Sequence, residues 1–172
     1  PSIDDPHILA GQGTPGLEIV DQLGEQPNRI VVPAGGGGLA SGIALACPDA
    51  EIVCVEPAGW DDLGRSLECG AIVPVEEGAP DTVLDALQTL RISPITFEIL
   101  RRRGASATSV TDEEALQAVR YAWEEHRLVV EPGGAAALAA VLLGRVAAVP
   151  GTVVILSGGN IDPALHARIV GS

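Results

Sequence analysis

With 172 residues, 47% of them hydrophobic, the chain is the size of one ordinary domain and long enough for a real core. Its formal net charge of −13 argues against nucleic acid or an anionic membrane surface as partner, since both attract basic proteins, and leaves small molecules or other proteins. All ten basic residues are arginines, so any mechanism that needs a lysine is closed to this chain by itself.

The first expected element opens at Thr14-Pro15, an N-cap followed by proline at the first helical position, and runs through Leu17, Ile19, Val20 and Leu23 to Gly24. Arg29 to Pro33 is a β-branched run that predicts a buried strand; four glycines follow, then a helix from Leu39 to Ala46. Glu51 to Val55 is the next strand, Asp61 to Cys69 a helix, Ala71 to Val75 a short strand, and Asp81 to Leu90 and Pro94 to Arg103 two further helices. A strand ending at Val110 leads to Thr111 with Glu114 three residues on, a capping box for a helix that carries Leu116, Val119 and Trp123 on one face. The stretch from about Gly134 to Leu143 is apolar almost all round, which places that helix in the interior; it is too short to span a bilayer. Thr152 to Leu156 predicts a last buried strand, "SGGN" its exit loop, and Pro163 to Val170 a closing helix. Strands alternating with helices predict an α/β fold: an open, mostly parallel sheet with helices on both faces.

Several residues that could carry chemistry read more simply as structure. His7, His126 and His166 have no Ser or Cys partner at a spacing that suggests a hydrolase. Cys47, Cys54 and Cys69 lack metal-ligand spacing and read as reduced thiols, which with the absence of a secretory signal at the start predicts a cytoplasmic protein. Arg101 to Arg103, at a predicted helix end, complement that helix's dipole. The chain opens on Pro1 rather than Met, as a processed chain or one cut from something longer would.

The glycine run in "VVPAGGGGLASG" asks for a ligand. Four residues without a β-carbon cost stability unless the backbone turns sharply or approaches something closely. A strand, a glycine turn and a helix start together make an anion site, with a phosphate as the expected guest. The P-loop reading fails for want of a lysine. A dinucleotide site is one reading: Gly35, Gly37 and Ala40 fit G-x-G-x-x-A after a strand, and Glu56 ends the next strand where a ribose-binding acid would sit. It leaves "AGQGT" at Ala10 to Thr14 and "LSGGNID" at Leu156 to Asp162 unexplained. The other reading gathers all three glycine-containing loops into one site at the carboxyl ends of the strands.

Those three loops, with "VEPAGWDD" and "VVEPGGAA" between them, resemble the serine/threonine dehydratase and serine racemase family of pyridoxal-phosphate enzymes, of fold type II and the tryptophan-synthase-β architecture. The opening "DDPHILAGQGTPGLEI" is similar to that family's mid-chain segment, and the similarity runs in order to the end. Residues 1–172 then correspond to the C-terminal part of the cofactor-binding large domain, without the N-terminal half. The resemblance implies that Gly35, Gly36, Gly37, Gly38 and the Leu39 amide hold the cofactor phosphate, and that Ser157 meets the pyridine nitrogen. Gln12, Gly13 and Glu131 are implied near the cofactor. Glu56, the Trp60 carbonyl and Asp62 match a divalent-cation site whose hard oxygens suit Mg²⁺ or Ca²⁺. The family usually has Asp-Gly-Leu where this chain has Asp85-Ala86-Leu87.

The implied activity is β-elimination of serine or threonine to a 2-oxo acid and ammonia, or racemisation by a member of the same family. The implied complete enzyme is a homo-oligomer acting on a small amino acid. In the family a lysine from the first half forms the Schiff base with the cofactor, so this chain by itself is expected to be inactive.

Overall fold

Four parallel strands, placed by alternating faces of apolar residues, organise the molecule; the computed structural model describes residues 5–171. Asp4, where the family-like opening segment begins, lies outside them. Strand β1 (Arg29–Pro33) is central, pairing with β2 (Glu51–Pro57) on one side and β4 (Thr152–Val154) on the other, while β3 (Ser106–Val110) pairs with the far side of β2. The order is β3-β2-β1-β4. In β1, Ile30, Val31 and Val32 are fully buried, and each gains about 1.5–3 kcal/mol by leaving water. Val31 faces a core shared with Val53 and Val55, whereas Ile30 and Val32 face the opposite core with Ile52 and Cys54. A parallel sheet covered on both faces requires this double burial.

Helices α6 (Asp112–His126), α7 (Pro132–Leu142) and α8 (Pro163–Val170) cover the first face. The α6 capping box forms as expected: the Thr111 side chain accepts from the Glu114 amide while the Glu114 carboxylate accepts from the Thr111 amide. The alanines of α7 are buried, and its interior placement holds. The second face is covered by α3 (Gly38–Ala46), α4 (Asp62–Cys69) and α5 (Pro94–Arg102), with α1 (Pro6–Gln12) and α2 (Thr14–Leu23) packed outside α3. Arg103, just past α5, donates to the carbonyls of Ala44, Cys47 and Ala50. It therefore serves the carboxyl end of α3, while Arg101 and Arg102 pair with Glu98 on α5 itself.

Four expected elements differ. The last strand, expected to be buried from Thr152 to Leu156, is β4 over Thr152–Val154 and only partly buried, because it is an edge strand paired on one side. "AGQGT" is a junction between two helices: Asp5 caps α1 by accepting from the His7 amide, and Gly13 ends α1 and begins α2, so Thr14 is already helical. Ala71 to Val75 joins no sheet; the amides of Val73 and Val75 bond instead to the Ser66 hydroxyl and the Leu90 carbonyl. Asp81 to Leu90 contains only one 3₁₀ turn, Asp85–Leu87. Asp112 holds that segment extended by accepting from the Thr82 hydroxyl and the Val83 amide, and Leu84 and Leu87 are buried beneath it. Among the described residues no helix is long and apolar enough to cross a membrane.

Candidate functional site

The carboxyl end of β1 delivers the chain into the glycine turn, and the neighbours explain the residue type. A β-carbon on Gly35 would lie 2.9 Å from the Leu87 carbonyl oxygen and 3.1 Å from its Cα, backbone atoms that cannot swing aside. Gly37 has φ +81°, and a β-carbon there would meet the Thr96 hydroxyl at 3.0 Å. Thr96, fully buried at the start of α5, donates from Oγ1 to the Gly36 carbonyl at 2.8 Å and so pins the turn from beneath. No side chain caps α3, whose N-cap is Gly37. A helix opened this way presents unpaired amides and the positive end of its dipole.

Those amides border a cleft of ≈ 240 Å³ lined by Gly35 to Gly38, Leu39, Gln12, Ile8, Ala86, Leu87 and Ser157, with Pro33 and Ala34 at its base. The uncapped start of α3, the end of α1, the 3₁₀ turn and the loop after β4 thus share one space. A larger groove of ≈ 500 Å³ lies between α6 and α8, and none of the expected site residues lines it.

Two expected contributors have different positions. Gly13 faces α3: a β-carbon on it would sit 3.1 Å from the Gly42 carbonyl oxygen, and one on Gly42 would sit 2.6 Å from the Gly13 nitrogen. The pair lets α1 cross α3 closely enough to bring Gln12 to the cleft. Glu131 stands behind the Ser157 loop, where its carboxylate accepts from the Asn160 amide at 2.9 Å. Ala86 replaces the family's usual glycine without a clash because Gly133 lies opposite; a β-carbon on Gly133 would approach the Ala86 methyl to 3.3 Å.

Glu56 and Asp62 are both 1% exposed. The Glu56 oxygens accept from the Leu63 and Gly64 amides, each at 2.9 Å, at the start of α4; Asp62 accepts from the Ile92 amide at 2.7 Å. Burial outweighs the help of these amides and raises the Glu56 pKa from 4.5 to about 8, with the neighbouring charges of Asp62 and Asp61 adding to the rise. Asp62 is likewise raised by burial, to about 6. Glu56 is therefore enclosed at the foot of α4 and does not reach toward a ribose beside the glycine turn. The Trp60 indole donates to the Pro80 carbonyl and fixes the loop between the two acids. Among the described residues no group of three His, Cys, Asp or Glu side chains is arranged to hold a metal, so a cation here would need backbone or water oxygens beside the two carboxylates.

Sequence reasoning missed Thr96, although Ser93-Pro94 three residues earlier carries a helix-start signature; the Ser93 side chain caps α5 by accepting from the Thr96 amide. It also missed why "VEPGG" has two glycines. Gly133 faces Ala86, and a β-carbon on Gly134 would lie 2.6 Å from the Gly158 nitrogen, so the start of α7 touches both the 3₁₀ turn and the Ser157 loop.

A family model described as pyridoxal-phosphate-dependent enzyme matches residues 1–158. The chain is 34% identical to a serine racemase of Dictyostelium discoideum, over 97% of this chain and 53% of the relative. It is 36% identical to an L-threo-3-hydroxyaspartate ammonia-lyase of Saccharomyces cerevisiae, over 99% of this chain and 53% of that one. Among solved structures, a threonine deaminase of T.th. superposes with a TM-score of 0.83 at 42% identity, covering 92% of this chain and 60% of the other. The chain thus spans about half the length of the curated relatives it matches. These matches overturn the dinucleotide reading of the glycine turn, and the chain belongs to the pyridoxal-phosphate-dependent enzymes of fold type II, among threonine dehydratases and serine racemases.

Proposed function

We propose that this chain is the C-terminal part of the cofactor-binding large domain of an ammonia-lyase that converts serine or threonine to a 2-oxo acid and ammonia. The observation that carries this reading is that one cleft contains both the uncapped start of α3 and Ser157. Bound pyridoxal phosphate supplies the electron sink that such an elimination needs. The chain's own residues hold it. Gly35 to Gly38 and the Leu39 amide take the phosphate, because no β-carbon blocks the backbone and the α3 dipole favours the anion. The Ser157 hydroxyl meets the pyridine nitrogen. A hydroxyl does not oblige that nitrogen to carry a proton as a carboxylate would, which suits a substrate whose departing hydroxyl takes up the electrons. Gln12 is exposed at the same cleft and free to contact what it holds. Glu56, the Trp60 carbonyl and Asp62 hold Mg²⁺ or Ca²⁺, for which two buried carboxylates are a fitting hard-oxygen donor set.

The remainder of the site comes from a second half of the protein. A cleft of ≈ 240 Å³ is smaller than the roughly 300–1,000 Å³ of a typical small-molecule site, and these 172 residues contain no lysine. The sheet edges point the same way. The β3 edge reads Ser-Ala-Thr-Ser-Val, as a solvent-facing edge should, whereas β4 continues as Val153, Val154, Ile155 and Leu156, apolar on both faces yet only partly buried. We place the second half, with the lysine and the substrate-carboxylate loop, against β4. Assembly into a homo-oligomer in the cytoplasm belongs to the same reading, and the three unpaired thiols suit a reducing compartment.

The test assays the complete protein with pyridoxal phosphate against L-serine, L-threonine and L-threo-3-hydroxyaspartate, following 2-oxo acid and D-serine. Ketoacid from serine or threonine is expected; D-serine as main product would favour racemisation, the activity named for the Dictyostelium relative. The 172-residue chain assayed by itself should form no ketoacid above the free-cofactor background. Turnover by it would remove the need for the second half.

A further inference from the structure

We propose that Glu131 is a positioning residue that sets the Ser157 hydroxyl by gripping the loop behind it, without touching the cofactor. The inference rests on Ser157 as the partner of the ring nitrogen. Glu131 occupies the N-cap of α7, a position that favours short polar side chains able to cap their own helix. Its side chain makes no such cap. It reaches instead to a loop 29 residues on, where Oε2 accepts from the Asn160 amide at 2.9 Å. The Glu131 amide donates to the Gly158 carbonyl at 2.9 Å, and the Ser157 amide donates to the Gly134 carbonyl at 3.4 Å. A β-carbon on Gly158 would lie 2.5 Å from the Glu131 carboxyl carbon, and one on Gly134 would lie 2.6 Å from the Gly158 nitrogen, so loop and helix start are in mutual contact with no slack.

The loop needs this grip because its own strand gives it little. β4 ends at Val154 and is paired on one side only, with Ile155 making a further amide bond to Val31. Ser157 itself is exposed. Residues 157, 158 and 160 are each tied to the first turn of α7 or its cap: Gly134 holds Ser157, and Glu131 supplies the ties at Gly158 and Asn160. Glu131 is absent from the lining of the cleft that contains Ser157, so its influence on a bound ring passes through the loop.

Side-chain length separates this role from plain helix capping. Glu131→Asp gives α7 a better N-cap but is one methylene too short for Asn160, while Glu131→Gln keeps both length and an acceptor oxygen. In the complete protein stripped of cofactor, hydrogen exchange at the Asn160 amide is expected to quicken about tenfold in Glu131→Asp and Glu131→Ala, remain near wild type in Glu131→Gln, and stay unchanged at the β1 amides. In the complete holoenzyme, Glu131→Asp should reproduce the cofactor absorption change and affinity loss of Ser157→Ala, with no further change in the double variant. Wild-type exchange at Asn160 in Glu131→Asp, or additive effects of Glu131→Asp and Ser157→Ala, would overturn the inference and leave the Ser157 reading intact. A silent Ser157→Ala would instead overturn the Ser157 reading, and the purpose assigned to Glu131 with it.

Discussion

β1 and β4 lie side by side and each carries one wall of the cleft, but the two walls are supported differently. The glycine turn rises from a strand buried on both faces and is wedged between the Leu87 backbone and the buried Thr96 hydroxyl. The Ser157 loop rises from a three-residue edge strand, is open to solvent, and is held from one side by the start of α7. On the proposed reading, the phosphate end of the site is therefore complete within this chain, whereas the ring end still waits for a neighbour across the β4 edge.

The strongest attack on that contrast is at the buried wall. Gly35→Val and Gly37→Val should each cost about 2–4 kcal/mol in urea unfolding, the first by pressing on backbone and the second by adding a strained positive φ to a clash. Both should abolish cofactor retention on dialysis of the complete protein. A Gly37→Val enzyme that keeps its cofactor would show that the turn has the slack here assigned only to the other wall.

A smaller effect is expected from pH, and it reaches the same wall through Asp62, Ile92 and Gly37. A β-carbon at Gly37 would lie 3.1 Å from the Ile92 side chain, and Asp62 holds the Ile92 amide. Because folded Glu56 keeps its proton to about pH 8 against 4.5 for the free side chain, folding takes up protons in between. Stability should therefore be highest below about pH 4.5 as far as this group is concerned, and fall by a few kcal/mol as pH rises through 8. Urea midpoints from about pH 5 to about pH 9 measure it; Glu56→Gln should flatten the slope. Added Mg²⁺ or Ca²⁺ should restore stability at the alkaline end, with no such rescue in Asp62→Ala. A midpoint that stays flat across this range in the unaltered protein would mean that Glu56 is ionised when folded.

The least effect belongs to the open wall. Ser157→Ala should weaken cofactor binding by about 1 kcal/mol, roughly fivefold, with folding stability unchanged because the hydroxyl is exposed. Ser157→Asp should alter the cofactor spectrum and product ratio by offering the ring nitrogen a charge. Spectra and product ratios identical to wild type in both variants would detach Ser157 from the ring.

What could be read in advance follows the same division. β1 was legible to the residue because a β-branched run between turn residues has few alternatives, and Thr111 with Glu114 announced α6 through chemistry local to four residues. The glycine turn and Ser157 were legible as partners because each follows a strand, and parallel strands bring their exits to one end of the sheet. Ala71 to Val75 and Asp81 to Leu90 failed for the opposite reason: their conformation is set by bonds to groups outside their own pattern, the Ser66 hydroxyl and Leu90 carbonyl for the first and the Asp112 carboxylate for the second. The start of α1 was missed although Asp5-Pro6 carries the same signature credited to Thr14-Pro15. Gly13 and Glu131 lie outside the lining of the cleft, and their sequence context could not show that the one packs against Gly42 or that the other accepts from the Asn160 amide.

Arg103 gives the glycine turn a reach beyond its own amides. A nine-residue helix such as α3 is about 14 Å long, and its two ends ordinarily carry opposing partial charges. The guanidinium at the carbonyls of Ala44, Cys47 and Ala50 neutralises the negative end. Seen from the cleft, α3 then resembles a single positive pole set into a protein of net charge −13. On the proposed reading, that pole would give an approaching phosphate a local potential well inside an otherwise repulsive surface, so that capture of the anion would begin before any hydrogen bond is made.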